Sequence, residues 1–360
     1  MVTYKYLIIL ILACMSTVHM QSIFAQAPGV PIMRDRGGPS RNLIQAANEA
    51  REKGILLSLE QVAEQMNRKH FTTSLPQPNS IPLHSRTIWE QSRAAHVRVG
   101  FHYLCNRCDN WHQSLAGGFF INPYGLVATC QHVIDPSARD YREGYLIAAS
   151  DDGTFYPVVE VLASDAPTDV AIIRVAVDKP VPYLPLNVNV YPGDDAWCYS
   201  YPLRRAGYFS HGIVNRFHYE DKDGVEVARL AVTTDWAPGS SGSAIIDTYG
   251  NAIGIVSTIS PAGTGRSQPR NRLLQNLVSP QSDSTVIIFR TAARAADVIA
   301  LTQGGTQTRQ PPEETDTEET SAVEEEKLPE EPETPEDRED PEEVDPNTSP
   351  ENEKEDAEDA

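Results

Sequence analysis

The stretch TTDWAPGSSGSAII, from Thr233 to Ile246, sets a serine on a small-residue turn, Gly239-Ser240-Ser241-Gly242-Ser243. The runs LAVTT before it and AIID after it read as strands, so Ser241 is expected on an exposed tight bend. Gly239 allows the backbone to turn its N–H groups outward. A hydroxyl beside an N–H pair suits acyl transfer, whose tetrahedral intermediate puts negative charge on oxygen. Taken alone, the stretch also reads as an ordinary Ser/Gly hairpin turn. Serine keeps its proton at neutral pH and needs a base, for which neutral imidazole is suited. Of nine histidines, His132 stands apart because it closes GGFFINPYGLVATCQHVI, a strand–turn–strand unit delivering a side chain at a strand end. Asp169 directly precedes the apolar run VAIIRV, which predicts a partly buried carboxylate in need of hydrogen-bond partners. Together His132, Asp169 and Ser241 supply a base, an orienting carboxylate and a nucleophile.

The elements that must position these groups are short and rich in Val, Ile, Phe and Tyr. HVRVGFHYL, GGFFIN, LVATC, YLIAAS, FYPVVEVLA and VAIIRVAV form one set of strands. AWCYSY, GYFSHGIVNRFHY, VARLAVTT, SAIID, NAIGIVST and STVIIF form a second. Turn signals such as Asn122-Pro123-Tyr124-Gly125, Asp151-Asp152-Gly153 and Asp223-Gly224 separate them. Two groups of about six strands predict an all-β protein of two antiparallel barrels or sandwiches packed together. Residues 292–301 read as a closing helix, and residues 260–283 as a long polar loop. Ahead of the strands, Leu43, Ile44, Ala47 and then Leu59, Val62, Ala63, Met66 fall at helical spacing between Arg41 and about His70. Ser58-Leu59-Glu60-Gln61 predicts a capping box opening the second helix. This helical segment reads first as a brace on the main domain, with a pro-segment or a partner-binding arm as alternatives. Residues 72–86 read as linker.

The 360-residue chain has a formal charge of −20, but residues 311–360 hold 24 Asp and Glu against 3 Lys and Arg. That segment carries −21, leaving about +1 elsewhere, which argues against a nucleic-acid-binding surface. Rich in Pro and Glu and lacking aromatics, it is expected to be disordered. Residues 1–27, with Lys5, the run YLIILILACM and small residues at Ala25 and Ala27, read as a secretory signal, so export is expected. Cys14, in ILAC, is a minor candidate for lipoprotein anchoring, and no later segment is apolar enough to span a membrane. Domains are therefore expected at 28–85 (linker and helices), 86–303 (β domain) and 304–360 (acidic tail). Cys105, Cys108, Cys130 and Cys198 remain for disulfides or free thiols. Cys105-Asn106-Arg107-Cys108 with His112 offers three zinc ligands, but the sequence shows no clear fourth. Neither a metal nor a cofactor is expected.

In order, AGGFFINPYGLVATCQHVI, TDVAIIRV, SHGIVN, APGSSGSAIID and GNAIGIVSTIS resemble the trypsin-like serine peptidases, most closely the HtrA/Deg branch. The likeness covers roughly residues 86–303. It implies two six-stranded antiparallel β-barrels with the active site between them, His132 and Asp169 from the first and Ser241 from the second. The backbone N–H groups of Gly239 and Ser241 would form the oxyanion hole. Ser257, Thr258 and Ile259 would lie on the strand that pairs with substrate. The implied activity is serine endopeptidase, acting on proteins or peptides through an acyl-enzyme. A silent protease-fold scaffold and an esterase using the same triad are the alternatives. Asp235, six residues before Ser241, stands where trypsin-like enzymes select Arg or Lys, whereas Ile259 favours a small apolar residue; the apolar pocket is the expectation. Ser240 stands where many family members have Asn or Asp before the nucleophile. Without the Asp that pairs with a newly freed N-terminus in pancreatic-type enzymes, that activation is expected to be absent. The peptide-binding PDZ domain of the HtrA branch is also not found where the acidic tail begins. Homo-oligomerisation is possible, but the N-terminal segment matches too weakly to carry over the family's trimer.

Overall fold

The computed structural model describes Asp35 and residues 41–137, 139–263 and 285–304. Residues 1–27, read above as a secretory signal and including Cys14, most of the long polar loop and the acidic tail lie outside the described residues.

Twelve strands form two closed six-stranded barrels. The first comprises β1 (His96–Cys105), β2 (Trp111–Phe120), β3 (Leu126–Thr129), β4 (Tyr141–Ser150), β5 (Phe155–Asp165) and β6 (Val170–Val175). The second comprises β7 (Asp195–Ser200), β8 (Tyr208–Lys222), β9 (Val225–Val232), β10 (Ala244–Ile246), β11 (Ala252–Gly263) and β12 (Thr285–Arg294). Around the first ring the order is β1-β2-β3-β6-β5-β4; the second repeats it as β7-β8-β9-β12-β11-β10. Closure leaves no free edge in either sheet. This is the chymotrypsin-like fold, with few helices, as the family resemblance implied; the strand pattern by itself left barrels and sandwiches open.

Inward-facing apolar residues fill each barrel. Val97, Val99, Phe101, Leu146, Ala148 and Ile172 are all buried within the first. Val214, Leu230, Val232, Ile245 and Val256 pack in the second with Trp236 and the thiol-bearing Cys198. All four described cysteines are free, and burial pushes the Cys198 thiol up to about 12.

Helix α1 (Arg41–Glu52) buries Leu43, Ala47 and Ala50, while α2 (Leu59–Gln65) opens on the expected Ser58–Gln61 capping box. Both lie against the first barrel, where Ala47 and Ala50 meet Ile147, and Leu146 N–H donates to Leu57 C=O at 3.0 Å. The segment therefore braces the barrel. Further on, Phe71 N–H donates to Leu301 C=O at 2.9 Å, tying the chain to the closing helix α5 (Ala295–Thr302).

Three expectations need correction. Residues 85–95 form a helix, α3 (Ser85–Ala95), with His84 accepting from Arg86 N–H at its start. Ile88, Ser92 and Ala95 face the core, a helical period too short and too broken by polar residues to stand out in sequence. The closing helix begins at Ala295, because residues 292–294 finish β12, where Ala292 and Ala293 pair with Val256 and Ile255. Likewise residues 260–263 continue β11 rather than opening the polar loop. No helix among the described residues is long and apolar enough to cross a membrane.

Candidate active site

His132 sits on a single helical turn, α4 (Gln131–Ile134), which leaves the end of β3. Val133 and Ile134 are buried and pin the turn, so the His132 side chain projects outward, 46% exposed. Asp169 occupies the tight turn between β5 and β6, with φ of 60°. Aspartate tolerates this left-handed conformation better than most residues, though a non-glycine there costs about 1 kcal/mol or more.

The two side chains meet. His132 Nδ1 lies 2.9 Å from both Asp169 oxygens, and its backbone N–H donates to Oδ1 at 3.1 Å. A proton on Nδ1 is thereby held by the carboxylate, leaving the Nε2 lone pair free. Ser257 Oγ–H donates to Asp169 Oδ2 at 2.6 Å. Burial alone would raise the Asp169 carboxyl, but the hydrogen bond and charge of His132, then the Ser257 hydroxyl, hold it below its ordinary value. Ser257 was expected on the substrate-pairing strand. It does lie in β11, at the register shift between Val256 and Thr258, but its hydroxyl is turned to Asp169.

Ser241 reaches the same place from the second barrel. Gly117 N–H donates to Ser241 C=O at 2.6 Å, and Thr129 Oγ–H donates to Gly117 C=O at 2.7 Å. Gly242 N–H and Cys130 Sγ both donate to Val256 C=O, at 2.8 and 3.0 Å. The Ser241 turn is thus packed on Thr129 and Cys130, the two residues that precede α4. A Cβ at Gly242 would collide with the Gly117 carbonyl and the Thr129 hydroxyl, so this close approach requires glycine. No hydrogen bond joins Ser241 Oγ to the His132 ring. Gly239 has φ of 101°, and its N–H and that of Ser241 have no acceptor among the described residues. The half-buried Ser241 therefore stands beside two unengaged N–H donors.

Ser240 is fully buried, and its hydroxyl donates to Ser200 Oγ at 3.0 Å. A neutral side chain thus occupies the position before Ser241, with a neutral partner. Asp235 is engaged as well: Arg290 Nη2 lies 2.6 Å from its Oδ1. Trp236 is buried and donates Nε1–H to Thr258 C=O at 3.3 Å, while Ile259 remains 38% exposed.

One residue escaped the sequence reading. Arg229 on β9 is 2% exposed, and reaches across to the first barrel. Its Nη1–H donates to Thr168 C=O at 2.6 Å and Nη2–H to Pro167 C=O at 3.0 Å, while Nε lies 3.3 Å from Glu220 Oε2. The guanidinium therefore grips the turn that presents Asp169. A single arginine inside the otherwise apolar VARLAV was the available signal, since a buried charge needs partners.

With this geometry in place, the comparisons with known proteins agree with the fold. Residues 116–255, from β2 into β11, match the family model described as trypsin-like peptidase domain, a span that holds His132, Asp169 and Ser241. Over that span the chain is similar to trypsin-like peptidase domains. It is also similar to the uncharacterized protein y4bJ of Sinorhizobium fredii (strain NBRC 101917 / NGR234), 29% identical over 150 residues. That alignment covers 40% of this chain and 22% of the relative, so the chain spans less than a quarter of that protein.

Proposed function

We propose that the chain is an exported serine endopeptidase of HtrA/Deg type that cleaves proteins or peptides after small apolar residues. The observation that carries this reading is the His132–Asp169–Ser257 hydrogen-bonded unit, next to a Ser241 turn with unengaged N–H groups. Ser241 Oγ attacks the scissile carbonyl carbon while His132 Nε2 takes its proton. The carbonyl oxygen, now negative, accepts from the N–H groups of Gly239 and Ser241. The C–N bond then breaks, the leaving amine takes the proton from His132, and water repeats the sequence to release the acyl group. The lack of a Ser241–imidazole hydrogen bond is compatible with a resting site, because such bonds often tighten only when substrate is bound.

Asp235 neutralised by Arg290 cannot offer a free charge to an Arg or Lys side chain, and Ile259 narrows the same region. Both favour an apolar pocket. The neutral Ser240–Ser200 pair supports an enzyme that is not switched on by a new N-terminus. Residues 1–27 direct export.

The test is fluorophosphonate labelling of the full chain and of Ser241→Ala, followed by digestion of a peptide library. Labelling of wild type alone, with cleavage after residues such as Val or Ala, is the expected result. Failure of wild type to label while remaining folded would overturn the activity, and cleavage mainly after Arg or Lys would overturn the pocket.

A further inference from the structure

The β1–β2 hairpin ends in a cluster that plays no part in the chemistry above. Strand β1 finishes at Cys105, the chain turns through residues 106–110, and β2 returns with Trp111 opposite Leu104 and His112 opposite Tyr103. The Sγ atoms of Cys105 and Cys108 and an imidazole nitrogen of His112 all lie within 4.8 Å of one another. Cys108 Sγ and His112 Nε2 are 3.1 Å apart. Tetrahedral zinc, with bonds of about 2.3 Å to sulfur and about 2.0 Å to nitrogen, sets adjacent ligands roughly 3.5–3.8 Å apart. The three donors need only small shifts to meet that spacing.

The surroundings also suit a metal. Arg107 N–H donates to Cys105 Sγ at 3.3 Å, a contact that orients and stabilises a thiolate ligand. All three side chains are half-buried, open enough for an ion to enter. Two soft sulfurs and one imidazole favour zinc over calcium or magnesium, which take oxygen.

We propose that Cys105, Cys108 and His112 form a zinc site, with water as the fourth ligand because no further Cys, His, Asp or Glu among the described residues joins the set. Binding releases the two thiol protons to solvent and forms two Zn–S bonds and one Zn–N bond. The ion closes the hairpin tip. That tip in turn holds the segment leading away from α4. Asn106 Nδ2 donates to Asp140 Oδ1 at 2.6 Å, Arg142 Nη2 lies 2.8 Å from Asp109 Oδ1, and the Tyr103 and Tyr141 rings stack at 3.7 Å. The site lies on the first barrel beside the chain that follows His132, and the part the ion plays there is to hold the hairpin tip.

The full chain, reduced and supplied with zinc, is freed of excess ion and its metal content measured by mass spectrometry. One zinc per chain is expected. Cobalt(II) in its place should give thiolate charge-transfer absorption and the intense visible bands of a tetrahedral site. Cys108→Ser and His112→Asn are expected to weaken binding by about 100-fold or more, since even outer partners of a metal site are worth 10–100-fold. Asp109→Asn, outside the ligand set, should bind as wild type does. Circular dichroism on each variant separates loss of a ligand from loss of fold. A folded, reduced chain that holds no stoichiometric zinc overturns the proposal, as does undiminished binding by both ligand variants. So does a chain exported into zinc-containing medium that carries a Cys105–Cys108 disulfide and no metal.

Discussion

Replacing Arg229 tests whether the second barrel positions the acid of the first. Arg229→Met keeps the apolar stem but removes the donors to Thr168 and Pro167 and the partner of Glu220. Two charge-assisted hydrogen bonds at about 1.5–3 kcal/mol each suggest a loss of roughly 3–6 kcal/mol. Glu220 is partly exposed and keeps Lys222 and His218 beside it, so loss of the Arg229 contact there adds little. At about 2–4 °C per kcal/mol for a domain of this size, Tm should fall by roughly 6–24 °C. The effect on rate has a separate origin. Asp169 sits at φ of 60°, a conformation that persists only while its surroundings hold it, and two gripped carbonyls immediately precede it. Release of the turn should move the carboxylate from His132, and a displacement of about 1 Å costs on the order of 100-fold. Fluorophosphonate labelling rates, measured well below both melting points, isolate this term. Arg229→Lys retains the charge but not the fork, so it should recover part of the Tm and less of the rate. A folded Arg229→Met that labels at the wild-type rate would refute the positioning role, even if its Tm were lowered.

Other perturbations test neighbouring contacts. Ser257→Ala removes a short hydrogen bond to a carboxylate, worth about 1.5–3 kcal/mol, so kcat should fall about 10–100-fold with little change in KM. Steady-state kinetics on a cleaved peptide decide this. Gly239→Ala forces a side chain into the left-handed region with its Cβ 2.7 Å from Tyr201 C=O, and should misdirect one oxyanion donor. Loss of such a donor costs about 100–1,000-fold in kcat, read from the same assay. Asp151 is buried against His96 and the Tyr199 hydroxyl. Burial opposes its ionisation, but the His96 hydrogen bond and charge and the tyrosine hydroxyls hold its carboxyl below the ordinary value. A carboxyl depressed on folding stabilises above its unfolded value of about 3.9 and loses that contribution as pH falls through its folded value. The Tm gap between wild type and Asp151→Asn should therefore be widest near neutrality and close below about pH 4. A gap independent of pH in thermal melts would contradict the ionised Asp151.

What the sequence reveals and what it hides follow from how each feature is encoded. The barrels are legible because a strand facing a core must alternate or run apolar, and turn residues mark its ends. Ser241, Asp169 and His132 are legible for a related reason. Each lies where a strand gives way to a turn, and a polar group there signals something other than packing. Arg229 and the hydroxyl of Ser257 are harder to find, because their roles depend on contacts 61 and 88 residues away and on which face of a strand they occupy. The Ser257 case shows the limit plainly. Its strand can be anticipated from GNAIGIVST, but a shift in register at this residue turns its side chain toward Asp169. Helix α3 is hidden because its buried face relies on tertiary packing, with serine and alanine in two of three core positions.

The same distinction separates the two ways Asp235 could have acted. Its spacing from Ser241 is compatible with a charge-selecting pocket, and no local feature of TTDWAPGSS decides the matter. Arg290 adds a partner from 55 residues away: its side chain is 17% exposed and its Nη2 sits 2.6 Å from the carboxylate. To accept a substrate lysine, Asp235 would have to share or give up that bond to Arg290. On the proposed reading, specificity would turn on a residue of β12, the strand that follows the long polar segment. The substitution that should admit basic substrates is accordingly Arg290→Met rather than any change to Asp235. A library profile for Arg290→Met that stays apolar would show that Asp235 does not face the pocket at all.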